Sequence, residues 1–309
     1  MRLRRISAIA AVAAAVAATT AAVYPSAPAD RLAPMPALTA PGLAARYTAD
    51  AQQIARAASA ASRAGNTGLA HSLDAMRGGQ FLDFNPAGQG VAVQVFGNLA
   101  TATRVAIIVP GSDTSLTTFG SRGTASPEGA ARALAAQARE LDPHARLAVI
   151  AWLGYLTPST LSPAVMTSGD AGQGADALRP FVNDLVSHGH RVALICHSYG
   201  SVVCGLAAAH LPVTDIAVVG SPGTDASSVR ALHTTARVWA GRGAGDWIQH
   251  VPHVHFLGLG FGQDPMDPAF GARIFAAGSG GHSSYFKPGG ISLRNLAEIA
   301  LGNTTAVTR

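Results

Sequence analysis

The stretch around Ser198 carries the clearest chemical signal in the chain, a serine between a buried strand and a helix. Residues 191–195 are largely aliphatic, which is typical of a strand buried on both faces. The next five residues, CHSYG at 196–200, predict a sharp turn that exposes the serine hydroxyl as a nucleophile. The N–H of Tyr199 is then expected at a helix N-terminus, where it can stabilise an oxyanion. Cys196 stands where this pattern usually has glycine.

An acidic residue is needed to orient the base, and in this architecture the order along the chain is serine, acid, histidine. Asp246, which follows a predicted strand at 236–240, is the favoured acid. Asp225 is the alternative, although it can equally cap a helix that begins just after it. Asp264 and Asp267 lie next to prolines and have the character of turn residues.

The base is predicted to be His282, in a glycine-flanked loop downstream of every candidate acid. His250, His253 and His255 are its rivals, and their clustering also suggests a metal site. We do not predict one, because the helical spacing and the nearby Cys/His set of zinc sites are missing. His197 is expected to point to the opposite side of the strand, where it would pack or form hydrogen bonds.

The second oxyanion donor is expected in the loop after a predicted strand at 104–109. Pro110 has no N–H, so the N–H of Ser112 is the natural partner to that of Tyr199. Gly111 and Asp113 are the alternatives.

The surrounding elements predict an α/β domain. A hairpin at 81–96 is followed by an alternation of strands and helices. The later strands are predicted at 104–109, 147–152, 191–196, 215–219, 236–240 and 272–276, and the helices at 127–140, 173–187, 200–209, 225–232 and 291–301. Such alternation indicates a mostly parallel, twisted sheet of about eight strands, with helices on both faces and an antiparallel start.

The N-terminal region has a different character. Residues 1–29 combine a basic start, an alanine-rich apolar run and small residues near the end, a pattern typical of an export signal. An uncleaved anchor is the alternative. Residues 30–42 form a predicted Pro/Ala-rich linker, 43–79 a helical segment and 80–309 the α/β domain. We therefore expect a secreted or cell-envelope protein with no stable membrane span once the signal is removed.

The charge distribution limits the classes of partner expected for the chain, and the cysteines are considered with it. Of the net charge of +5, three charges come from Arg2, Arg4 and Arg5, and no cluster of basic residues occurs elsewhere. Nucleic-acid binding is therefore not expected. The two cysteines, Cys196 and Cys204, are predicted to be buried free thiols rather than a disulfide.

Two long irregular stretches, 153–172 and 241–271, are candidate lids or binding loops. The apolar residues within them, at 153–172 and 251–261, favour an acyl or lipid-like substrate.

Five segments taken together resemble a bacterial α/β-hydrolase family catalogued as a domain of unknown function: 99–111, 149–155, 197–201, 219–223 and 281–285. The resemblance extends over roughly residues 80–300. It implies the α/β-hydrolase fold and a triad of Ser198, Asp246 and His282. It implies no substrate.

These observations predict a secreted serine hydrolase that cleaves small carboxylic esters through an acyl-enzyme and needs no cofactor. Peptidase or amidase activity on the same triad is an alternative. A second alternative is a catalytically silent binding protein of the cell envelope, motivated by the substitution at Cys196.

Overall fold

The computed structural model of the chain describes residues 32–121, 123–251 and 260–309. The predicted signal at 1–29 lies outside the described residues, as does most of the apolar lid candidate at 251–261. Within the described ranges, no helix combines the length and the apolar character needed to cross a bilayer.

The core is an eight-stranded sheet with the order β1-β2-β4-β3-β5-β6-β7-β8. Its strands are β1 (Gln80–Asn85), β2 (Val91–Phe96), β3 (Arg104–Val109), β4 (Leu147–Leu153), β5 (Arg191–His197), β6 (Asp215–Val219), β7 (Arg237–Gly241) and β8 (Arg273–Ile274). β1 and β2 form an antiparallel hairpin, β2 pairs antiparallel with β4, and β3 to β8 run parallel. The predicted mostly parallel sheet with an antiparallel start is confirmed.

Helices cover both faces of this sheet. They are α1 (Ala40–Arg63), α2 (Thr67–Ala75), α3 (Leu116–Phe119), α4 (Pro127–Leu141), α5 (Gly169–Ser187), α6 (Gly200–Ala207) and α7 (Ile291–Leu301). In β3, Ile107 packs with residues of α5 and α6, whereas the next residue, Ile108, packs with residues of α4 and α7. Because successive side chains of a strand point to opposite faces, a strand covered on both sides is aliphatic throughout.

The predicted linker is shorter in the structure. α1 begins at Ala40 because the Thr39 hydroxyl accepts the N–H of Gly42 and a proline occupies the first turn. The residues before it are fastened to the sheet edge, since the N–H of Ala33 donates to Asp83 at 2.8 Å. α1 in turn packs along β1.

The prediction of a helix at 225–232 is wrong. Only a short 3-10 turn, Arg230–Leu232, forms there. Asp225 has a positive φ of 59° and does not cap a helix. Its N–H donates to the carbonyl of Phe261 at 2.8 Å, and Ala226 forms a β-bridge with Gly262. This part of the chain therefore satisfies its backbone groups by pairing with a distant loop instead of by helical bonds.

Candidate active site

Ser198 lies in a tight turn between β5 and α6 with a φ of 54°, a strained conformation for a residue with a side chain. Its N–H donates to the carbonyl of Val219 at 3.0 Å, which fixes the turn against β6. Gly200 must be glycine, because a Cβ there would lie 2.4 Å from the carbonyl oxygen of Val109. The predicted strand–turn–helix around the serine is therefore present.

The prediction of two free thiols is wrong. Cys196 and Cys204 form a disulfide with their Cα atoms 6.5 Å apart, and both side chains are fully buried. The turn reverses the chain so sharply that the second turn of α6 lies back over the end of β5. That reversal brings two residues within the roughly 7 Å separation that a disulfide tolerates.

Ser198, His282 and Asp246 form one hydrogen-bonded chain. Nε2 of His282 is 2.9 Å from Oγ of Ser198. Nδ1 of the same ring is 2.9 Å from Oδ1 and 3.1 Å from Oδ2 of Asp246. The loop after β7 supplies the acid and the loop before α7 supplies the histidine. Of the two candidate acids, Asp246 is the one that contacts His282.

Asp246 is fully buried but is held as a carboxylate. Burial raises its pKa, but hydrogen bonds from His282, from the Tyr285 hydroxyl and from the N–H of Ile248 outweigh that effect and lower it. Tyr285 also accepts the N–H of Gly243 at 3.2 Å. Tyr285 was not predicted as a site residue, although it is the last residue of the 281–285 segment that carries the family resemblance.

His197 was predicted to point away from the site, but its side chain faces His282. Its ring centroid is 4.9 Å from that of His282, and its Nε2–H donates to the main-chain carbonyl of His282 at 2.8 Å. The carbonyl can only accept, so this bond fixes the tautomer. Burial, and next the proximity of His282, lower the pKa of His197 to about 4. The predicted hydrogen-bonding role holds, and it supports the backbone of His282.

The low pKa of His197 predicts an acid-sensitive fold. The neutral ring is preferred in the folded state, so the unfolded chain takes up a proton first, between pH 6.5 and about 4. Stability is therefore lost as the pH falls through that range, by about 2–3 kcal/mol between pH 7 and pH 4.5. His197→Gln retains an N–H donor but has no ring to protonate. Measured by urea unfolding at pH 7 and pH 4.5, its loss of unfolding free energy should be smaller than that of the wild-type protein by this amount. An equal loss in both proteins would contradict the prediction.

The loop after β3 lies against Ser198. A Cβ on Gly111 would be 2.7 Å from Cβ of Ser198, so glycine is what allows this approach. Ser112 and Tyr199, the predicted oxyanion donors, line the same cleft as Ser198. Asp113, one of the alternatives, has a positive φ of 58° and its N–H donates to the carbonyl of Pro158 at 3.0 Å.

The segment from residue 155 to residue 171, here called the strap, is hydrogen-bonded to both loops that carry the predicted oxyanion donors. On one side, Tyr155 donates to the carbonyl of Pro110 at 2.8 Å. Asp113 accepts the N–H of Thr160 at 3.0 Å and its hydroxyl at 2.6 Å. On the other side, the Tyr199 hydroxyl donates to the carbonyl of Thr167 at 2.7 Å. The last part of the stretch predicted as a lid, 153–172, is helical, because α5 begins at Gly169.

A cleft of about 410 Å³ opens over the serine. Apolar side chains supply much of its lining, on the sheet side and in the loops: Ile108, Ala125, Ala130, Val165, Met166 and Phe261. Trp247 stands at its mouth, 52 % exposed, with its ring centroid 4.7 Å from that of His282. The cleft therefore places Ser198 beside a largely apolar surface.

The remaining candidates have other places. His250 is exposed, and His253 and His255 lie outside the described residues. Asp264 pairs with Arg242, and Asp267 caps a 3-10 turn. In the part of the chain that the structure describes, no three His, Cys, Asp or Glu side chains are grouped to hold a metal ion.

A family model described as alpha/beta hydrolase matches residues 85–256, more than half of the chain. The chain belongs to the α/β-hydrolase family. A protein of Mycobacterium tuberculosis, named only as uncharacterized, is 34 % identical to this α/β hydrolase over 255 residues. That alignment includes 71 % of this chain but 38 % of the relative, so the chain spans well under half of that protein. A shorter uncharacterized relative from Mycobacterium bovis is 36 % identical over 146 residues, 44 % of this chain and 53 % of its own.

Among solved structures, this α/β hydrolase is similar to esterase PE8, with 14 % identity and a TM-score of 0.45 over 70 % of this chain and 99 % of the other. It is also similar to a serine hydrolase without a lid from Xanthomonas campestris. There the identity is 17 % and the TM-score 0.43, over 73 % and 94 % of the two chains.

Proposed function

We propose that this α/β hydrolase is a serine hydrolase that cleaves carboxylic esters. The observation that carries the proposal is the unbroken hydrogen-bonded chain from Ser198 through His282 to the buried carboxylate of Asp246. Nucleophile, base and orienting acid are each within hydrogen-bond distance of the next, which is the geometric requirement for an activated serine.

The reaction begins with Nε2 of His282 taking the proton of Ser198 as Oγ attacks the ester carbonyl carbon. The N–H groups of Tyr199 and Ser112 hold the oxyanion that forms, each contributing about 3–4 kcal/mol to its stability. The protonated His282 then gives its proton to the departing alcohol, and the acyl group stays on Ser198. A water molecule, deprotonated by His282, attacks the acyl-enzyme, and His282 passes that proton to Oγ of Ser198 as the bond to the acyl group breaks and the acid leaves. Asp246 stabilises the imidazolium in both halves.

The cleft supports an acyl or lipid-like ester as substrate, because its lining is mainly apolar beside the nucleophile. The alternative of a silent binding protein was motivated by Cys196. The disulfide to Cys204 explains why a cysteine occupies position 196, and Ser198 still has the backbone conformation of the tight turn.

We also propose that the protein is exported. The predicted signal at 1–29 is the first support. A disulfide between two buried cysteines is the second, since disulfides persist in oxidising compartments outside the cytosol.

A fluorophosphonate probe tests the proposed chemistry. We expect the wild-type protein to be labelled and to hydrolyse p-nitrophenyl esters, with both properties lost in Ser198→Ala. Ser283→Ala is the matched control, since that exposed serine lines the same cleft and should leave both intact. A folded wild-type protein that takes up no label would refute the proposal. An ester series of increasing acyl length then defines the preferred chain.

A further inference from the structure

The large apolar side chains that the described residues expose come from two segments that line the cleft over Ser198. They are Leu156 at 40 % exposure, Leu161 at 96 %, Met166 at 45 % and Trp247 at 52 %. Three belong to the strap and the fourth to the loop after β7. Single exposed apolar residues are common on any surface, but a group gathered at one site indicates an interaction. We refer to these four side chains as the apolar rim.

The apolar rim borders the mouth of the cleft over Ser198. Met166 and Trp247 line the cleft itself, and so does Thr160, the neighbour of Leu161. Leu156 lies between Tyr155 and Thr157, two residues that bond to the loop after β3. A ligand that contacts the rim is therefore beside the entrance that an ester must use.

The chemistry of the rim favours lipid over protein. Residues 153–169 contain no aspartate, glutamate, lysine or arginine, and the polar groups between the apolar ones are mostly hydroxyls. Charged groups are costly to bring into an acyl phase, whereas leucine enters it readily and tryptophan is favoured at its boundary with water. Leu161, almost wholly exposed, has the position of a side chain that inserts.

The size of the rim argues in the same direction. A stable protein–protein interface uses about 800 Å² from each partner. A complete aromatic side chain presents at most about 250 Å², so at their exposed fractions the four side chains provide at most about 580 Å², less than the roughly 800 Å² that such a partner needs. A lipid surface has no such threshold, because binding grows with each apolar group that enters it.

We propose that the apolar rim docks on a lipid–water surface and that the enzyme takes its ester substrate from that surface. This inference rests on the proposed ester hydrolysis. The strap joins docking to chemistry, because the segment that bears Leu156, Leu161 and Met166 also holds Asp113 and Tyr199 by hydrogen bonds. Lipid contact at the rim thus falls on the element that bonds to Pro110 and Asp113, the two neighbours of the 111–112 segment, and to the side chain of Tyr199.

The test separates binding from catalysis by using Ser198→Ala, which cannot consume lipid. We expect this variant to sediment with vesicles of neutral phosphatidylcholine, and to do so equally at low and at high salt, because the rim carries no charge. Leu161→Asp in the same background should lower the vesicle partition coefficient at least about tenfold. Ala60→Asp is the matched control; it adds the same charge at an exposed position of α1 that does not line the cleft.

Each outcome decides the inference. No vesicle binding, or equal binding by Leu161→Asp, overturns it. Binding that disappears at high salt overturns it as well. If the protein forms a dimer that Leu161→Asp dissociates, the rim would instead be an interface with a second copy of the chain. With a short soluble ester, Leu161→Asp on the wild-type background should keep its hydrolysis rate. If vesicles bind but no ester is cleaved, the proposed reaction fails and the docking surface remains.

Discussion

Replacement of Asp246 by asparagine is expected to lower kcat for a short-chain ester about 10⁴-fold, with KM changed only a few-fold. The carboxylate holds the proton of His282 on Nδ1 and so leaves Nε2 free to take the proton of Ser198. An asparagine amide can donate to Nδ1, which favours the tautomer with the proton on Nε2. The base is then blocked although the geometry is preserved. Steady-state kinetics at pH 8 measures the effect.

Asp225→Asn provides the matched control for this variant. The substitution is the same, and asparagine tolerates the positive φ of that position. We expect its kcat to remain within about threefold of the wild-type value, because Asp225 is not part of the hydrogen-bonded chain of Ser198, His282 and Asp246. If only Asp225→Asn abolished turnover, the assignment of the acid would be reversed.

Removal of the disulfide is expected to have the largest effect on stability. The double variant Cys196→Ala/Cys204→Ala should lose about 2–3 kcal/mol of unfolding free energy, because the bond that closes this short loop restricts the unfolded chain. For a chain of this size the melting temperature should fall by roughly 3–5 °C. Thermal unfolding under non-reducing conditions measures it. Since both sulfurs are fully buried, the folded wild-type protein should also resist added dithiothreitol.

The same variant shows whether the bond matters beyond stability. Below its new melting temperature we expect fluorophosphonate labelling of Ser198 to persist, because contacts with β6 and the glycine at position 200 also hold the turn. An unchanged melting temperature would contradict the stabilising role of the disulfide. Labelling lost in a folded variant would mean that the bond itself sets the serine conformation.

Much of the fold was predictable because local patterns record it. β3 and β5 are buried on both faces, so their aliphatic runs were recognisable without knowledge of their neighbours. The helix predicted at 127–140 is α4, and its start is set locally, because Ser126 accepts the N–H of Gly129 and a proline follows it. The helix predicted at 225–232 failed for the opposite reason: the bonds that replace it come from residues 261–263, which no local pattern connects to it.

By itself, the sequence determined the strand–turn–helix at Ser198, and chain order and strand ends predicted Asp246 and His282 as its partners. Only the tertiary structure decided that Asp246 and not Asp225 reaches His282, that Tyr285 and His197 support them, and that the cysteines join. These contacts link residues 36 to 85 positions apart, or depend on how sharply the chain reverses. Periodicity and propensity describe neighbours along the chain, and convergence of distant side chains is a property of the folded whole.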